Sequence, residues 1–203
     1  MSFSMRIEQI ANLKETLASL EQNGIQLCSF INGREVASTY SAVPKINPAT
    51  GTVIASFEPA STDMLDDAVA FATAAQKQWA EYAAHERAEV LNQVAQLITD
   101  NIDVLSRLEV RDVGKLYSEA ISADVPSGAE SFAFFAAACA TAYGTSHRWP
   151  DAIAYTERVP LGVCAGIGAW KCYRGICNYW INSSLRCGVD DAYFMSGADV
   201  STA

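Results

Sequence analysis

The sequence predicts a mixed α/β protein in which short hairpins come first, a helical region follows, and a parallel sheet begins near Val163. Three patterns support this fold class. Turn-forming residues interrupt short apolar runs before residue 60, apolar residues recur at helical spacing from 62 to 143, and the run LGVCAGIG at 161–168 is typical of a strand buried on both faces. The chain has 203 residues, of which 50% are hydrophobic and 18% charged, so it is long enough to bury the core of one domain.

The first 29 residues are predicted to contain a leading amphipathic helix. Apolar residues at three- and four-residue steps share one face, namely Ile7, Ile10, Leu13, Leu17 and Leu20. We expect that face to pack on the domain or on a partner. The segment has one Arg and no unbroken apolar run, so it does not resemble a secretory signal, and the expected location is the cytoplasm.

Two hairpins are predicted after this helix. In the first, Asn32-Gly33 lies between short strand-like runs, which is the strongest short-range signal for a tight hairpin turn. In the second, extended residues precede Pro48, a turn occupies 49–51, and a strand covers Val53–Phe57.

Four helices are predicted next. The first begins after a cap at Ser61 or Thr62, and its apolar face is expected to comprise Leu65, Val69, Ala72 and Trp79. The second covers 86–99 and is expected to bury Val90, Leu91, Val94, Leu97 and Ile98.

The third and fourth helices are delimited by Gly and Pro. The third covers 102–113 and ends at Gly114, because Gly readily adopts the left-handed conformation that ends helices. The fourth begins near Ser118, is expected to break at Pro126, and resumes through 143.

Two extended segments follow the helices. AYTERVP at 154–160 alternates polar and apolar residues, as a half-exposed strand does, and 161–168 is the predicted buried strand. Gly166 and Gly168 at the end of that strand would let a ligand or another backbone come close. The pattern alone leaves both a structural turn and a nucleotide site open.

Composition argues against several classes of function. A formal net charge of −9 and the lack of a basic stripe argue against binding nucleic acid or an anionic membrane. The apolar run at 132–142 is shorter than the ~20 residues of a membrane span. The six cysteines form no C-x-x-C pair and have no His at ligand spacing, so zinc is not expected and the thiols are expected to be reduced. His85 and His147 lie in polar segments, and no catalytic residue is predicted.

Three motifs in order carry a family resemblance. INPATG stands at 46–51, LEVRDVGK at 108–115 is followed by YSEA, and RVPLGVCAGIGAW stands at 158–170. Together they resemble the amino-terminal part of the NAD(P)-dependent aldehyde dehydrogenases, most closely the bacterial betaine aldehyde dehydrogenases. The resemblance implies a truncated aldehyde dehydrogenase fold with hairpins, a helical region and the first strand of a Rossmann-like sheet. It also implies an aldehyde substrate and assembly into homo- or hetero-oligomers through the hairpins and the strand at 154–160.

The resemblance also assigns candidate site residues. It implies that Gly168, Ala169 and Trp170 contact the cofactor, NAD or NADP. It further implies that Asp112 helps to hold a monovalent cation, together with backbone carbonyls near Lys45 and Ile46. Hard oxygen ligands suit such an ion, although a short polar residue near a helix end also commonly has no ligand role.

The resemblance is expected to end at Trp170. Lys171 stands where the family has an Asn that stabilises an oxyanion, and the later K-P-S-E stretch, general-base Glu and nucleophilic Cys of the family are not found. We therefore divide the chain into a leading helix at 1–29, a family-like part at 30–170 and an aberrant tail at 171–203, explained by a frameshift or insertion. The expected product is a poorly soluble fragment that is inactive alone. The alternative is a non-enzymatic interaction subunit that joins full-length family members.

Overall fold

The computed structural model describes residues 25–141, 143–168 and 193–196. Its elements confirm the mixed α/β class, with hairpins, helices and then strands. In chain order they are β1 (Ile25–Leu27), β2 (Ser29–Ile31), β3 (Arg34–Val36), β4 (Val43–Ile46), β5 (Val53–Phe57), α1 (Thr62–Glu81), α2 (Ala84–Asp100), α3 (Ile102–Val113), α4 (Tyr117–Glu119), a π-helical turn (Ala120–Asp124), α5 (Val125–Cys139), β6 (Ser146–Arg148), β7 (Ile153–Tyr155), β8 (Ala165–Gly168) and β9 (Tyr193–Ser196).

The strands form four small sheets. Strands β1, β5 and β4 make one sheet in that order, with β1 parallel and β4 antiparallel to β5. The pairs β2–β3 and β6–β7 are antiparallel, and β8 pairs with β9 in parallel.

Both predicted hairpins are confirmed. Asn32 and Gly33 connect β2 to β3 with φ angles of 51° and 73°, the positive values that a tight hairpin turn requires. The turn between β4 and β5 is closed at Asn47, whose Oδ1 accepts a hydrogen bond from the Ala49 N–H at 2.9 Å.

The predicted helix boundaries at Ser61 and Gly114 are also confirmed. The Ser61 hydroxyl caps α1 by accepting a hydrogen bond from the Met64 N–H at 3.2 Å. Gly114 ends α3 in the left-handed conformation with a φ of 76°.

The main core lies between α2 and α5. It consists of Leu91, Ala95, Phe132, Phe135, Ala136 and Cys139, all buried. A second cluster joins the β2–β3 hairpin to α1 and contains Ile31, Met64 and Ala68, with Val36 packed beside it. None of the described helices combines the length and the apolarity that crossing a membrane requires.

The predicted face of α1 is confirmed at Ala72 but needs correction at Leu65 and Val69. The helix buries Met64, Ala68 and Ala72, whereas Val69 is 43% exposed. The buried stripe is therefore shifted by one residue from Leu65 and Val69, because small Ala68 lies next to Ile31 of the hairpin.

The predicted helix break at Pro126 is not observed. The helical path continues through the π-helical turn, where the Val125 N–H donates a hydrogen bond to the Ala120 carbonyl, and Pro126 is the second residue of α5. The wider π-helical turn accommodates a residue that has no N–H to donate.

Three predicted extended or helical ranges also differ from the structure. Residues 25–27 form β1 and Ser29 begins β2, although both fall within the segment 1–29. Residues 1–24, which include the predicted apolar helix face, lie outside the described residues. The predicted strand at 161–168 begins only at Ala165, and the predicted strand at 154–160 is restricted to Ile153–Tyr155. In the tail, β9 was not predicted.

Candidate functional site

Two of the sequence motifs meet at the carboxyl end of α3. Gly114 lies against the turn after β4 so closely that a Cβ atom built on it would be 2.7 Å from Pro48 Cγ and 3.4 Å from the Ala49 nitrogen. Gly114 also has a positive φ, so a larger residue is disfavoured by conformation and by contact. The motif INPATG and the motif LEVRDVGK are therefore packed together as one unit.

Beside this junction, the structure brings together two residues of the predicted cation site. Lys45 Nζ lies 2.7 Å from Asp112 Oδ1, and the two side chains are only 16% and 31% exposed. Lys45 belongs to β4, where it is paired with Ala55 of β5, and Asp112 belongs to the last turn of α3. Ile46 follows Lys45 on the same strand and is half exposed.

This arrangement does not fit a monovalent cation at Asp112 Oδ1. A carboxylate oxygen and backbone carbonyls are suitable donors, but the Lys45 ammonium already contacts that oxygen and carries the same charge as the ion. Within the described residues, no group of three or more His, Cys, Asp or Glu side chains is placed to hold a metal ion.

A second ion cluster lies on the other side of Gly114. Lys115 pairs with Asp124 of the π-helical turn, and its Nζ lies 3.7 Å from Glu109 Oε1. The three side chains are largely buried, at 13%, 20% and 3% exposure. The sequence did not predict an ion cluster of these three residues, although Glu109 and Lys115 belong to the motif LEVRDVGK. The cluster fixes α3 against the π-helical turn.

An exposed network links the start of α3 to α4. The Tyr117 hydroxyl donates a hydrogen bond to Asp103 Oδ1, and Arg107 Nε lies 3.1 Å from Asp103 Oδ2. The Tyr117 hydrogen bond, with a smaller contribution from Arg107, lowers the pKa of Asp103 below its usual value. In turn, the Asp103 carboxylate raises the pKa of the Tyr117 hydroxyl.

The predicted cofactor residues are only partly within the described range. Gly168 is the last residue of β8 and pairs with Ser196 of β9. Ala169 and Trp170 lie outside the described residues. A Cβ atom built on Gly166 would meet no neighbouring atom within 4 Å, so the space beside this residue of β8 is open.

The histidines and the described cysteines form no catalytic arrangement in the part of the chain that the structure describes. His85 and His147 are exposed, as predicted. Cys28, Cys139 and Cys164 are free thiols, and Cys139 is 4% exposed within the main core. A groove of about 420 Å³ runs beside α2 and is lined by polar side chains such as Asn92 and Gln96, but it contains none of the predicted site residues.

Comparison with known proteins identifies relatives over most of this fold. The sequence profile described as the Aldehyde dehydrogenase family matches residues 35–188. Betaine aldehyde dehydrogenase 2 of Rhizobium meliloti (strain 1021) is 38% identical over 160 residues, which are 78% of this chain and 33% of that protein. The matched range includes 171–188, beyond Trp170, where the similarity was expected to end.

Comparison with solved structures also identifies aldehyde dehydrogenases. A variant of aldehyde dehydrogenase from Bacillus cereus superposes with a TM-score of 0.81 at 27% sequence identity. The superposition covers 89% of this chain and 37% of the Bacillus cereus chain. An NAD+ complex of aldehyde dehydrogenase from Bacillus cereus gives a TM-score of 0.79 at 28% identity, over 86% of this chain and 36% of that one.

The resemblance inferred from the three motifs is therefore confirmed by sequence and by fold. The chain spans about a third of the length of the curated relatives that it matches. By sequence and by fold, the chain belongs to the aldehyde dehydrogenase family.

Proposed function

We propose that this chain is the amino-terminal part of an NAD(P)-dependent aldehyde dehydrogenase that acts in the cytoplasm, with betaine aldehyde as the first substrate to test. In the overall reaction an aldehyde and water give a carboxylic acid, and NAD(P)+ takes up the hydride. The observation that carries the proposal is the 38% identity to a protein named betaine aldehyde dehydrogenase 2, over 78% of this chain. The similarity to an NAD+ complex supports the nicotinamide cofactor.

The proposed cofactor contacts are Gly168, Ala169 and Trp170. Ligands of open α/β sheets bind beyond the carboxyl ends of the strands, and Gly168 is the last residue of β8. A residue without a side chain lets the cofactor approach the backbone there. When bound, the cofactor supplies the hydride acceptor of the reaction.

Titration with reduced cofactor tests this assignment. We expect NADH or NADPH binding, followed by fluorescence, to be lost in Gly168→Val and retained in the matched control Gly166→Val, because Gly166 has open space around it. Equal binding by both variants would remove Gly168 from the cofactor site.

We also propose that the chain alone does not turn over. Among the described residues, the buried thiol of Cys139 is inaccessible to a substrate, and Cys28 and Cys164 are partly buried; Cys172, Cys177 and Cys187 lie outside the described residues. A nucleophilic Cys requires an activating base, and His85 and His147 are both exposed whereas Cys139 is buried in the main core. The purified chain should produce no reduced cofactor from betaine aldehyde, whereas sustained turnover above that of a heat-inactivated sample would refute the proposal.

The alternative proposal is an interaction subunit that joins full-length family members. It is favoured by the β6–β7 hairpin, whose residues Ile153 and Tyr155 are 64% and 74% exposed, with Trp149 at 54% in the connecting loop. Pull-down of a full-length relative by the tagged chain should be lost in Ile153→Ser. Capture that is unchanged in this variant would argue against the hairpin as the contact.

The origin of the tail is a separate proposal. We infer that Lys171, where the resemblance implies Asn, marks a frameshift or insertion. The family match extends to residue 188, so an insertion that leaves similarity on both sides of this codon fits it better than a frameshift that ends the similarity there. Resequencing the gene through this codon and translating every frame decides the question, since a frame that resumes with Asn after the Trp would support a frameshift.

A further inference from the structure

The carboxylate of Asp112 lies where the surrounding backbone favours a positive charge. Asp112 is the last residue but one of α3, in the turn whose carbonyl groups form the negative end of the helix dipole. A carboxylate at this end of a helix is unfavourable unless a cation lies close to it. The Asp112 side chain is also largely buried, so water and salt screen its charge incompletely. The fold therefore favours a cation beside this carboxylate.

Lys45 supplies this charge from the neighbouring strand. Its Nζ lies 2.7 Å from Asp112 Oδ1, and its own side chain is mostly buried. The ladder between β4 and β5 is irregular at this point, because Lys45 pairs with Ala55 whereas the next residue, Ile46, pairs with Val53. Bulges of this kind interrupt the ladder and redirect side chains. The side chain beside this bulge reaches from the sheet to the last turn of α3.

Both partners of the pair are held in place by other contacts. Strand β4 is paired along its length with β5, the central strand of its sheet. The turn that follows β4 packs against Gly114, two residues after Asp112. Because it belongs to the chain, the ammonium is present beside the carboxylate at a high effective concentration. A free sodium or potassium ion would have to displace it.

We propose that the Lys45 ammonium takes the place of the monovalent cation that the family resemblance implies at Asp112. The amino-terminal fold of this chain then requires no bound sodium or potassium ion at this carboxylate, and removal of the Lys45 side chain opens a site for one. The inference goes beyond the proposed function and does not depend on it, because neither cofactor binding nor turnover enters the test.

Chemical rescue tests whether the ammonium group is what this position requires. Lys45→Ala in the full 203-residue chain removes a propylammonium fragment, and its melting temperature should fall. Adding n-propylammonium at about 0.1 M should restore about half of the loss, since a ligand that binds only the folded state stabilises it. Tetramethylammonium at the same ionic strength should restore none, because its methyl groups keep the charge away from the carboxylate and it has no N–H to donate.

Two control variants show that the rescue depends on this pair. Lys77→Ala is the matched control, because Lys77 is exposed on α1, and its melting temperature should respond to neither ion. Rescue of Lys45→Ala should be lost when it is combined with Asp112→Asn. Equal rescue by the two ions, rescue by neither, or rescue that survives Asp112→Asn would each overturn the inference.

Sodium NMR tests whether a free ion binds only when the ammonium is removed. Sodium ions that exchange with a protein site give a broader signal, so the line width should be greater with Lys45→Ala than with the unaltered chain. The excess should be lost when Lys45→Ala is combined with Asp112→Asn. Broadening by the unaltered chain that is lost in Asp112→Asn would overturn the inference, because a free ion would then already occupy the carboxylate beside Lys45.

A second variant keeps the test decisive if Lys45→Ala does not fold, which circular dichroism melting determines. Lys45→Met keeps the length of the side chain and removes only its charge, so it replaces the alanine variant in the sodium measurement. We expect a greater sodium line width with Lys45→Met than with the unaltered chain. Equal line widths with these two proteins would overturn the inference.

Discussion

Replacing Lys45 with Met tests whether an internal ammonium stabilises the junction of the two motifs. Lys45 Nζ lies 2.7 Å from Asp112 Oδ1, and the side chains are 16% and 31% exposed. Exposed pairs contribute about 0–1 kcal/mol, whereas breaking a fully buried pair costs about 3–5 kcal/mol. For this partly buried pair, discounted for solvent screening, we expect Lys45→Met to lower the free energy of unfolding by about 1–2 kcal/mol.

The assay is chemical denaturation followed by far-ultraviolet circular dichroism. For a chain of about 200 residues, this loss corresponds to a melting temperature lower by roughly 3–6 °C. A double-mutant cycle with Asp112→Asn separates the pair from the other contacts of Lys45, and a coupling of about 1 kcal/mol is expected. Additive effects within about 0.3 kcal/mol would show that the ion pair does not stabilise the fold.

The same variants test the role of monovalent cations. If the Lys45 ammonium neutralises Asp112, exchange of Na+ for K+ at constant ionic strength should leave the melting temperature of the unaltered chain unchanged. In Lys45→Met the freed carboxylate should make the melting temperature depend on the cation. A cation response already present in the unaltered chain would refute this reasoning and restore the ion site implied by the family resemblance.

Three further predictions concern the surroundings of α3. Gly114→Ala should destabilise the fold by about 2 kcal/mol in denaturant unfolding, because it combines a positive φ with a contact to Pro48; an unchanged midpoint would contradict this packing. Lys115→Met should cost about 3–5 kcal/mol, since two largely buried carboxylates lose their shared cation, and Lys115→Arg should recover part of the loss. The Tyr117 hydrogen bond lowers the pKa of Asp103 in the folded state, so its stabilisation should be present above about pH 4 and lost as the pH falls further. The stability difference between the unaltered chain and Asp103→Asn should therefore vanish in acid, and a constant difference would refute the assignment.

Features governed by local rules were predicted from the sequence. Asn32-Gly33 forms a hairpin turn because both residues tolerate positive φ, and Gly114 ends α3 for the same reason. The strand predicted from 161 was shorter than expected because Gly162 has a φ of 93°, which interrupts the extended backbone, and Leu161 is 83% exposed.

Features that depend on distant partners were missed. The buried stripe of α1 is set by contact with Ile31 rather than by the hydrophobicity of Val69. The family resemblance predicted that Lys45 and Asp112 would be neighbours, but it assigned the Lys45 backbone carbonyl rather than its ammonium to the site. Only the folded arrangement shows that the long side chain reaches the carboxylate.

The motif residues within the described part of the chain have structural roles, and this separates membership of the family from catalysis. Gly114 allows the two motifs to pack, Lys115 joins α3 to the π-helical turn, and Lys45 pairs with Asp112. Each contact stabilises the amino-terminal fold whether or not an aldehyde is oxidised. A sequence that preserves these motifs therefore preserves a dehydrogenase fold, while turnover depends on the cofactor contacts proposed to begin at Gly168 and on a thiol that reaches the substrate. For this reason, the cofactor titration, rather than the similarity itself, tests whether this chain takes part in the reaction.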